Sequence, residues 1–90
     1  MSLELLLKEN KGKVLEFGVW YIKGHHLFYK PDTTIHSITS MLGTEEITFF
    51  MNNGLTFEAK MDNDRIVFSA MSVHGKSIWV SYLPTEYHWK

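Results

Sequence analysis

The spacing of apolar residues changes once along the chain. Near the start, Leu3, Leu6 and Leu7 recur at the three- and four-residue intervals of one helix face. Ser2 stands where a helix N-cap is expected. The pattern therefore predicts a short helix over residues 2–10. Because so short a helix is unstable alone, we expect its leucine stripe to pack against the rest of the protein.

From residue 14 onwards, apolar and polar positions alternate with a period of two, which is typical of strands. Turn-forming residues divide this part of the chain into runs at hairpin spacing. The predicted strands are residues 14–22, 25–30, 34–41, 46–51, 55–61, 65–73 and 77–83, and 34–41 has the weakest pattern. The expected fold class is α+β: a short N-terminal helix followed by a curled six- to seven-stranded antiparallel β-meander, a half-barrel or small barrel. We expect a single domain over residues 1–90.

The loop at residues 52–54 determines which side chains of two predicted strands share a face. A two-residue turn would place Phe50 on the face of Phe57. A three-residue loop with Gly54 at positive φ instead brings the apolar residues of both strands to one face. Those residues are Ile47, Phe49, Met51, Leu55, Phe57, Ala59 and Met61. We therefore predict the three-residue loop.

The last two predicted strands are apolar on both faces. A two- or four-residue loop around Asn63 places Ile66, Phe68 and Ala70 on the core face, and a two-residue turn at His74-Gly75 adds Trp79. The opposite face then carries Val67, Met71, Val73, Ile78, Val80 and Tyr82. Exposed apolar faces often mark interfaces, and aromatic residues often carry their binding energy. Our partner-surface hypothesis therefore comprises Val67, Met71, Ile78, Val80, Tyr82, Tyr87 and Trp89.

The first predicted hairpin is also apolar on both faces. With a turn at Lys23-Gly24, one face holds Phe17, Val19, Tyr21 and Phe28, and the other holds Trp20, Ile22, Leu27 and Tyr29. The sheet could cover both faces by curling into a barrel or half-barrel with the helix closing one end. Alternatively, part of the second face contacts another chain, and a two-fold homodimer is the simplest such assembly. The two arrangements are compatible with each other.

Composition and charge narrow the function classes. Nine Lys+Arg stand against ten Asp+Glu, a formal net charge of −1, which disfavours nucleic acid and anionic membranes as partners. The absence of cysteine excludes a disulfide framework and a thiol nucleophile. The sequence contains no signal-peptide pattern and no apolar run near the roughly 18 residues of a membrane span. We therefore expect a cytoplasmic protein without membrane contact.

The five histidines lack the spacing of a metal site. His25 and His26 are adjacent on a predicted strand, so their side chains point to opposite faces and do not chelate one ion together. A zinc site that combines either of them with a histidine or carboxylate from elsewhere in the chain is the alternative left open. The sequence has no nucleophile motif such as Gly-x-Ser-x-Gly. We expect a protein that is not an enzyme, without catalytic residues, cofactor or metal.

The segment ENKGKVLEF, residues 9–17, follows the predicted helix and leads into the predicted sheet. This arrangement resembles the start of an Sm-like domain, and the resemblance implies a nucleic-acid-binding barrel. The acidic-and-glycine pattern of the second and third Sm strands is missing, because KGHHLFYKPDTT, residues 23–34, stands in its place. We therefore carry no RNA-binding residue over to this sequence.

Three functions follow from these patterns. The first is a small protein-binding or inhibitor-type domain that acts through the apolar aromatic surface of its sheet, with a partner the sequence does not identify. The second is a small-ligand binder with an aromatic cavity between helix and sheet, lined by Phe17, Phe28, Phe57 and Trp79. The third is the Sm-like nucleic-acid-binding barrel. A concave pocket within one chain favours the ligand, whereas a flat surface favours the protein partner.

Overall fold

The computed structural model describes residues 2–42 and 45–90 of the chain, and for residues 40–42 and 76–79 it describes the backbone alone. This part of the chain holds one helix and nine strands. They are α1 (Leu3–Glu9), β1 (Val14–Phe17), β2 (Trp20–Lys23), β3 (His26–Tyr29), β4 (Ser37–Leu42), β5 (Glu46–Met51), β6 (Thr56–Asp62), β7 (Arg65–Ser72), β8 (Gly75–Tyr82) and β9 (Tyr87–Trp89). The predicted α+β class, with its N-terminal helix and antiparallel strands, is confirmed.

Helix α1 begins at a side-chain cap and packs through two leucines. The Ser2 hydroxyl accepts a hydrogen bond from the Leu5 amide at 3.2 Å, which satisfies one free amide of the first turn. Leu3 and Leu7 are buried and Leu6 is partly buried. The predicted docking of the helix is confirmed, and it rests against β5 and β6. Within the described ranges, no helix has the length and apolar character that crossing a membrane requires.

The strands form two antiparallel sheets that pack face to face. The first sheet has the order β3-β2-β1-β9 and the second has the order β4-β5-β6-β7-β8. An isolated bridge between Phe28 and His36 links the edge strand β3 to the start of β4. The two sheets do not close into a barrel, so the curled arrangement stays open.

The core lies between the two sheets and against α1, and both sheets contribute to it. Its buried apolar members are Leu3, Leu7, Leu15, Phe17, Ile22, Leu27, Ile47, Phe49, Met51, Phe57, Ala59, Ile66 and Phe68. Fully burying one large apolar side chain stabilises a fold by about 1.5–3 kcal/mol. The burial of this one cluster therefore contributes much of the free energy that holds the helix and the two sheets together.

The loop at residues 52–54 has the predicted length. Phe49 pairs directly with Phe57 across β5 and β6. Gly54 has φ +91°, a conformation that favours glycine. Phe50 lies on the opposite face and is 39% exposed. The three-residue register of this hairpin is therefore confirmed.

The predicted single strand over residues 14–22 is wrong, because the chain turns at Gly18 and Val19. Gly18 has φ +58°, in the left-handed region that glycine enters at little cost. Phe17 pairs with Trp20 across this turn, so both lie on one face of the sheet. The prediction that these two side chains lie on opposite faces is also wrong.

The turn between β2 and β3 lies one residue later than predicted, at Gly24-His25. Trp20 pairs with Tyr29, and Tyr21 pairs with Phe28. Each pair therefore shares a face, as the sequence pattern predicts. Together with the turn at Gly18, this register puts Trp20 and Tyr29 on the core side of the first sheet and Phe28 on its outer side.

The β7–β8 hairpin differs in register from the prediction. Its turn is at residues 73–74 rather than at His74-Gly75, and a bulge between Ala70 and Met71 shifts the pairing by one residue. As a result, Val80 pairs with the core residue Phe68. The bulge contains one extra residue, so the residues beyond it lie on the opposite face from the one that unbroken alternation predicts.

This shift divides the six residues that we predicted on the outer face of the last hairpin. By register, Val80 and Tyr82 belong to the core-facing side of the second sheet, and the backbone of Ile78 pairs with that of Ala70. Val67 and Met71 are on the outer side, and Val73 lies in the turn. The prediction that all six share the outer face is therefore wrong.

Strand β9 forms from a segment in which the sequence pattern predicts no strand. Tyr87 pairs with Phe17, and Trp89 pairs with Leu15. Both aromatic residues are partly buried against the core. The pairing completes the first sheet and covers one edge of β1.

Candidate functional site

Trp20 is the centre of an aromatic cluster between the two sheets. It follows the Gly18-Val19 turn, which aims it at the second sheet. Its ring centroid lies 4.8 Å from that of Phe57, 5.0 Å from that of Tyr29 and 5.6 Å from that of Phe68. Aromatic pairs at these separations stabilise a structure beyond the area they bury. Trp20 therefore has a fixed position in which it contacts both sheets.

The cluster continues toward β8. Phe57 and Phe68 stack with their centroids 5.1 Å apart. Phe17 meets Phe68 and Tyr82 edge-on, at 5.3 Å in each case. Tyr82 thus forms the outer end of a ring series that begins at the buried Phe17.

Two open recesses lie on either side of the contact between Trp20 and Phe57. The first has a volume of about 240 Å³ and is lined by Trp20, Phe57, Phe68, Ala70, Val80 and Tyr82. The second has a volume of about 190 Å³ and is lined by Trp20, Tyr29, Ile35, Asn53, Leu55 and Phe57. We call the two together the aromatic cleft. None of these lining residues is charged.

Exposed aliphatic side chains surround the aromatic cleft. Leu55 is 52% exposed and Val80 is 38% exposed, and both line a recess. Exposed apolar surface of this kind is costly in water, and proteins keep it where something binds.

The phenol of Tyr82 is held in its neutral form at the cleft wall. Burial raises the pKa of Tyr82, and the nearby negative charge of Glu86 raises it further. The Tyr82 ring also lies directly over Gly18, where a Cβ would come within 2.9 Å of the hydroxyl oxygen. The cleft wall therefore presents an uncharged O–H group among apolar surfaces.

The structure distributes the predicted partner-surface residues over three places. Val80 and Tyr82 line the aromatic cleft. Val67 and Met71 lie on the outer face of the second sheet, and Tyr87 and Trp89 lie in β9 beside β1. The side chain of Ile78 is outside the described residues.

The predicted ligand-lining residues are not brought together. Phe57 lines the cleft, and Phe17 lies buried behind it. Phe28 is on the outer face of the first sheet, stacked on Tyr21 at 5.0 Å. The side chain of Trp79 is outside the described residues, and its backbone pairs with Ser69.

Trp20, Tyr29 and Phe68 are aromatic cleft residues that neither the partner-surface nor the ligand-cavity hypothesis includes. For Trp20 and Tyr29, the sequence pattern does not show which face of the first hairpin is buried, and it does not predict the turn at Gly18. The signal that could have revealed it is the glycine itself, since a glycine between two aromatic-rich runs is compatible with a two-residue turn. The cleft lies at the Trp20 end of β2. Helix α1 ends near the other end of β2, beside the Gly24-His25 turn.

One acidic group outside the cleft is strongly paired. On the outer face of the first sheet, Glu16 accepts a hydrogen bond from the Lys30 ammonium at 2.6 Å and forms an ion pair with Lys90 at 3.0 Å. These lysines lower the pKa of Glu16. Among the residues that the structure describes, no group of three or more His, Asp or Glu side chains could hold a metal ion.

Comparisons with protein-family models, with curated proteins and with solved structures return no match to this chain.

Proposed function

We propose that this protein is a non-enzymatic, cytoplasmic binding domain that takes up an apolar segment of a partner protein in the aromatic cleft. The observation that carries the proposal is an open cleft with an aromatic floor and an exposed aliphatic rim. Tryptophan and tyrosine dominate the binding energy of many interfaces when they lie at the centre of an apolar patch. Trp20, Tyr29 and Tyr82 occupy such positions here.

Two features favour a protein segment over a small molecule. Each recess is smaller than the roughly 300 Å³ at which small-ligand pockets usually begin. Leu55 and Val80 line the recesses and are also exposed, so a bound segment would contact both floor and rim. A bound side chain would fill one recess while its neighbours cover the rim.

A small apolar ligand is the second candidate, and one observation favours it. The two recesses are adjacent, because Trp20 and Phe57 line both, and both lie within a single chain. This is the geometry that favours a ligand over a flat partner surface. Its lining differs from the cavity expected between helix and sheet.

Two valine substitutions on the same hairpin test the proposal. Val80 lines the cleft, whereas Val73 is 97% exposed in the β7–β8 turn. Partners would be captured on immobilised wild-type protein, identified and then titrated against each variant. We expect Val80→Glu to weaken binding at least about tenfold, which corresponds to about 1.4 kcal/mol. Val73→Glu, with the same change of side chain, should bind like the wild type.

The outcomes separate the candidates. Equal affinity of both variants for the partner would overturn the cleft as the binding site. Saturable uptake of a small fluorescent apolar probe that Val80→Glu abolishes, without any protein partner, would support the ligand candidate. A second copy of this chain is one possible partner. Light scattering would then show a wild-type dimer and a folded Val80→Glu monomer.

A further inference from the structure

A separate recess lies at the other end of β2, where α1 ends. Its volume is about 330 Å³, larger than either part of the aromatic cleft. It is lined by Leu7, Lys8, Asn10, Lys11, Gly12, Lys13, Gly24 and His25. We call it the lysine recess. Its volume falls within the range of small-molecule sites, roughly 300–1,000 Å³.

The lysine recess concentrates positive charge on a chain whose formal net charge is −1. Lys8, Lys11 and Lys13 all line it, and no aspartate or glutamate does. In the described parts of the chain, the lysines paired with carboxylates are Lys30, Lys60 and Lys90. The three ammonium groups of the recess are therefore available to an anion.

The helix end does not neutralise this charge. A helix C-terminus carries a partial charge of about −0.5, whereas three lysines carry about +3. The last-turn carbonyl of Leu6 is already occupied, because it accepts bonds from the Asn10 amide at 3.2 Å and from the Asn10 side chain at 2.9 Å. The residues that line the recess therefore keep a net positive charge.

Two glycines keep the recess open. Gly12 has φ +89° and Gly24 has φ +64°. A Cβ built at either position would meet no atom within 4 Å, so each backbone borders free space. His25 also lines the recess.

We propose that the lysine recess binds a small molecule that carries two or more linked phosphate groups. Lysine binds phosphate as a mobile point charge, and several lysines around one recess match an anion with several charges. A single phosphate or carboxylate would leave part of the surplus charge unpaired. A nucleic-acid strand requires a positive track along its backbone, and the net charge of −1 does not provide one.

Titration of the ¹⁵N-labelled full chain with sodium pyrophosphate tests the proposal by NMR. We expect saturable shifts at the amides of Gly12 and Gly24, and weaker binding as salt rises, because these charges are exposed. The double variant Lys8→Gln, Lys13→Gln should bind at least about tenfold more weakly. Lys11→Gln alone should also weaken binding, and Arg65→Gln is its matched control, because it removes one positive charge from the start of β7, outside the recess. If the double variant does not fold, Lys11→Gln takes its place.

Three results would overturn the proposal: no saturable shifts, shifts that sodium chloride of equal ionic strength reproduces, or equal weakening by Arg65→Gln. Binding of a single-stranded oligonucleotide without binding of pyrophosphate would also overturn it. A parallel titration with a nucleoside triphosphate distinguishes the sources of the phosphate. Additional shifts at Leu7 would indicate a nucleotide, and identical shifts would indicate that the phosphate chain alone is recognised.

Discussion

Tyr82 lies so close to Gly18 that a Cβ on Gly18 would approach the Tyr82 hydroxyl oxygen to 2.9 Å and its ring carbon Cε1 to 3.2 Å. This contact joins the β1–β2 turn to the last residue of β8. Gly18 is therefore required for two reasons, its positive φ and the tyrosine above it. The position of the cleft wall depends on both.

Gly18→Ala is expected to destabilise the protein by about 1–3 kcal/mol, because it combines left-handed strain with displacement of the Tyr82 ring. Gly54→Ala is the matched control. Gly54 also has a positive φ, but a Cβ there meets nothing within 4 Å, so only the strain of about 1 kcal/mol applies. Urea unfolding measures both. Equal losses would show that the tyrosine adjusts at no cost.

Leu3→Ala is expected to cost about 2–5 kcal/mol of unfolding free energy, because the side chain is fully buried and its removal leaves a cavity. Leu6→Ala should cost less, because Leu6 is only partly buried. Leu5, 46% exposed on the same helix, provides the control, and Leu5→Ala should change stability little. Thermal unfolding that is unchanged in Leu3→Ala would mean that α1 is a loosely attached arm.

The ion pairs of Glu16 predict an acid-sensitive stability. Lys30 and then Lys90 lower the pKa of Glu16 in the folded protein. The ionised Glu16 therefore contributes to stability at pH values above the pKa that Glu16 has in the unfolded chain. That contribution disappears as the pH falls through the lowered folded value. Glu16→Gln should therefore reduce stability at neutral pH and flatten its decline in acid, as measured by urea unfolding at several pH values. Parallel profiles for both proteins would contradict this expectation.

The raised pKa of Tyr82 predicts that stability falls as the pH rises into the alkaline range. Burial, followed by the charge of Glu86, raises its folded pKa. Its contribution to stability is therefore complete below the unfolded value of about 10 and is lost as the pH rises through the folded value. Burial and then the charge of Asp64 also raise the pKa of Tyr87, so ultraviolet titration should show two tyrosines that ionise later than the others. Tyr82→Phe should remove one of these two late steps, and two late steps in Tyr82→Phe would contradict the assignment.

The sequence predicts register where one face is apolar and the other polar. The β5–β6 hairpin is such a case: the outward Thr56, Glu58 and Lys60 leave one choice of face, and the three-residue loop follows from it. In β8 the residues Ile78, Trp79 and Val80 are all apolar, so alternation carries no information about register. The bulge beside Ala70 then decides the pairing, and nothing in the residue types reveals it.

The aromatic cleft was only partly predictable for a related reason. Phe57, Val80 and Tyr82 were identified as binding residues, but in two separate hypotheses. Trp20 joins them because Gly18 reverses the chain, and a glycine between two apolar runs is compatible both with a turn and with a continuing strand. The position of Trp20 in the cleft is therefore determined by the backbone conformation at Gly18 rather than by the hydrophobic pattern.

The pairing of β9 with β1 also affects how the chain folds. The other strand pairs join neighbours in sequence, whereas this pair brings residue 17 to residue 87. Closing so long a loop costs entropy before any contact compensates for it, and contacts of this kind slow folding. Until β9 arrives, an edge of β1 beside Leu15 and Phe17 is unpaired. A refolding chain should therefore aggregate most readily in that interval, when the hairpins have formed and this edge is still open to another molecule.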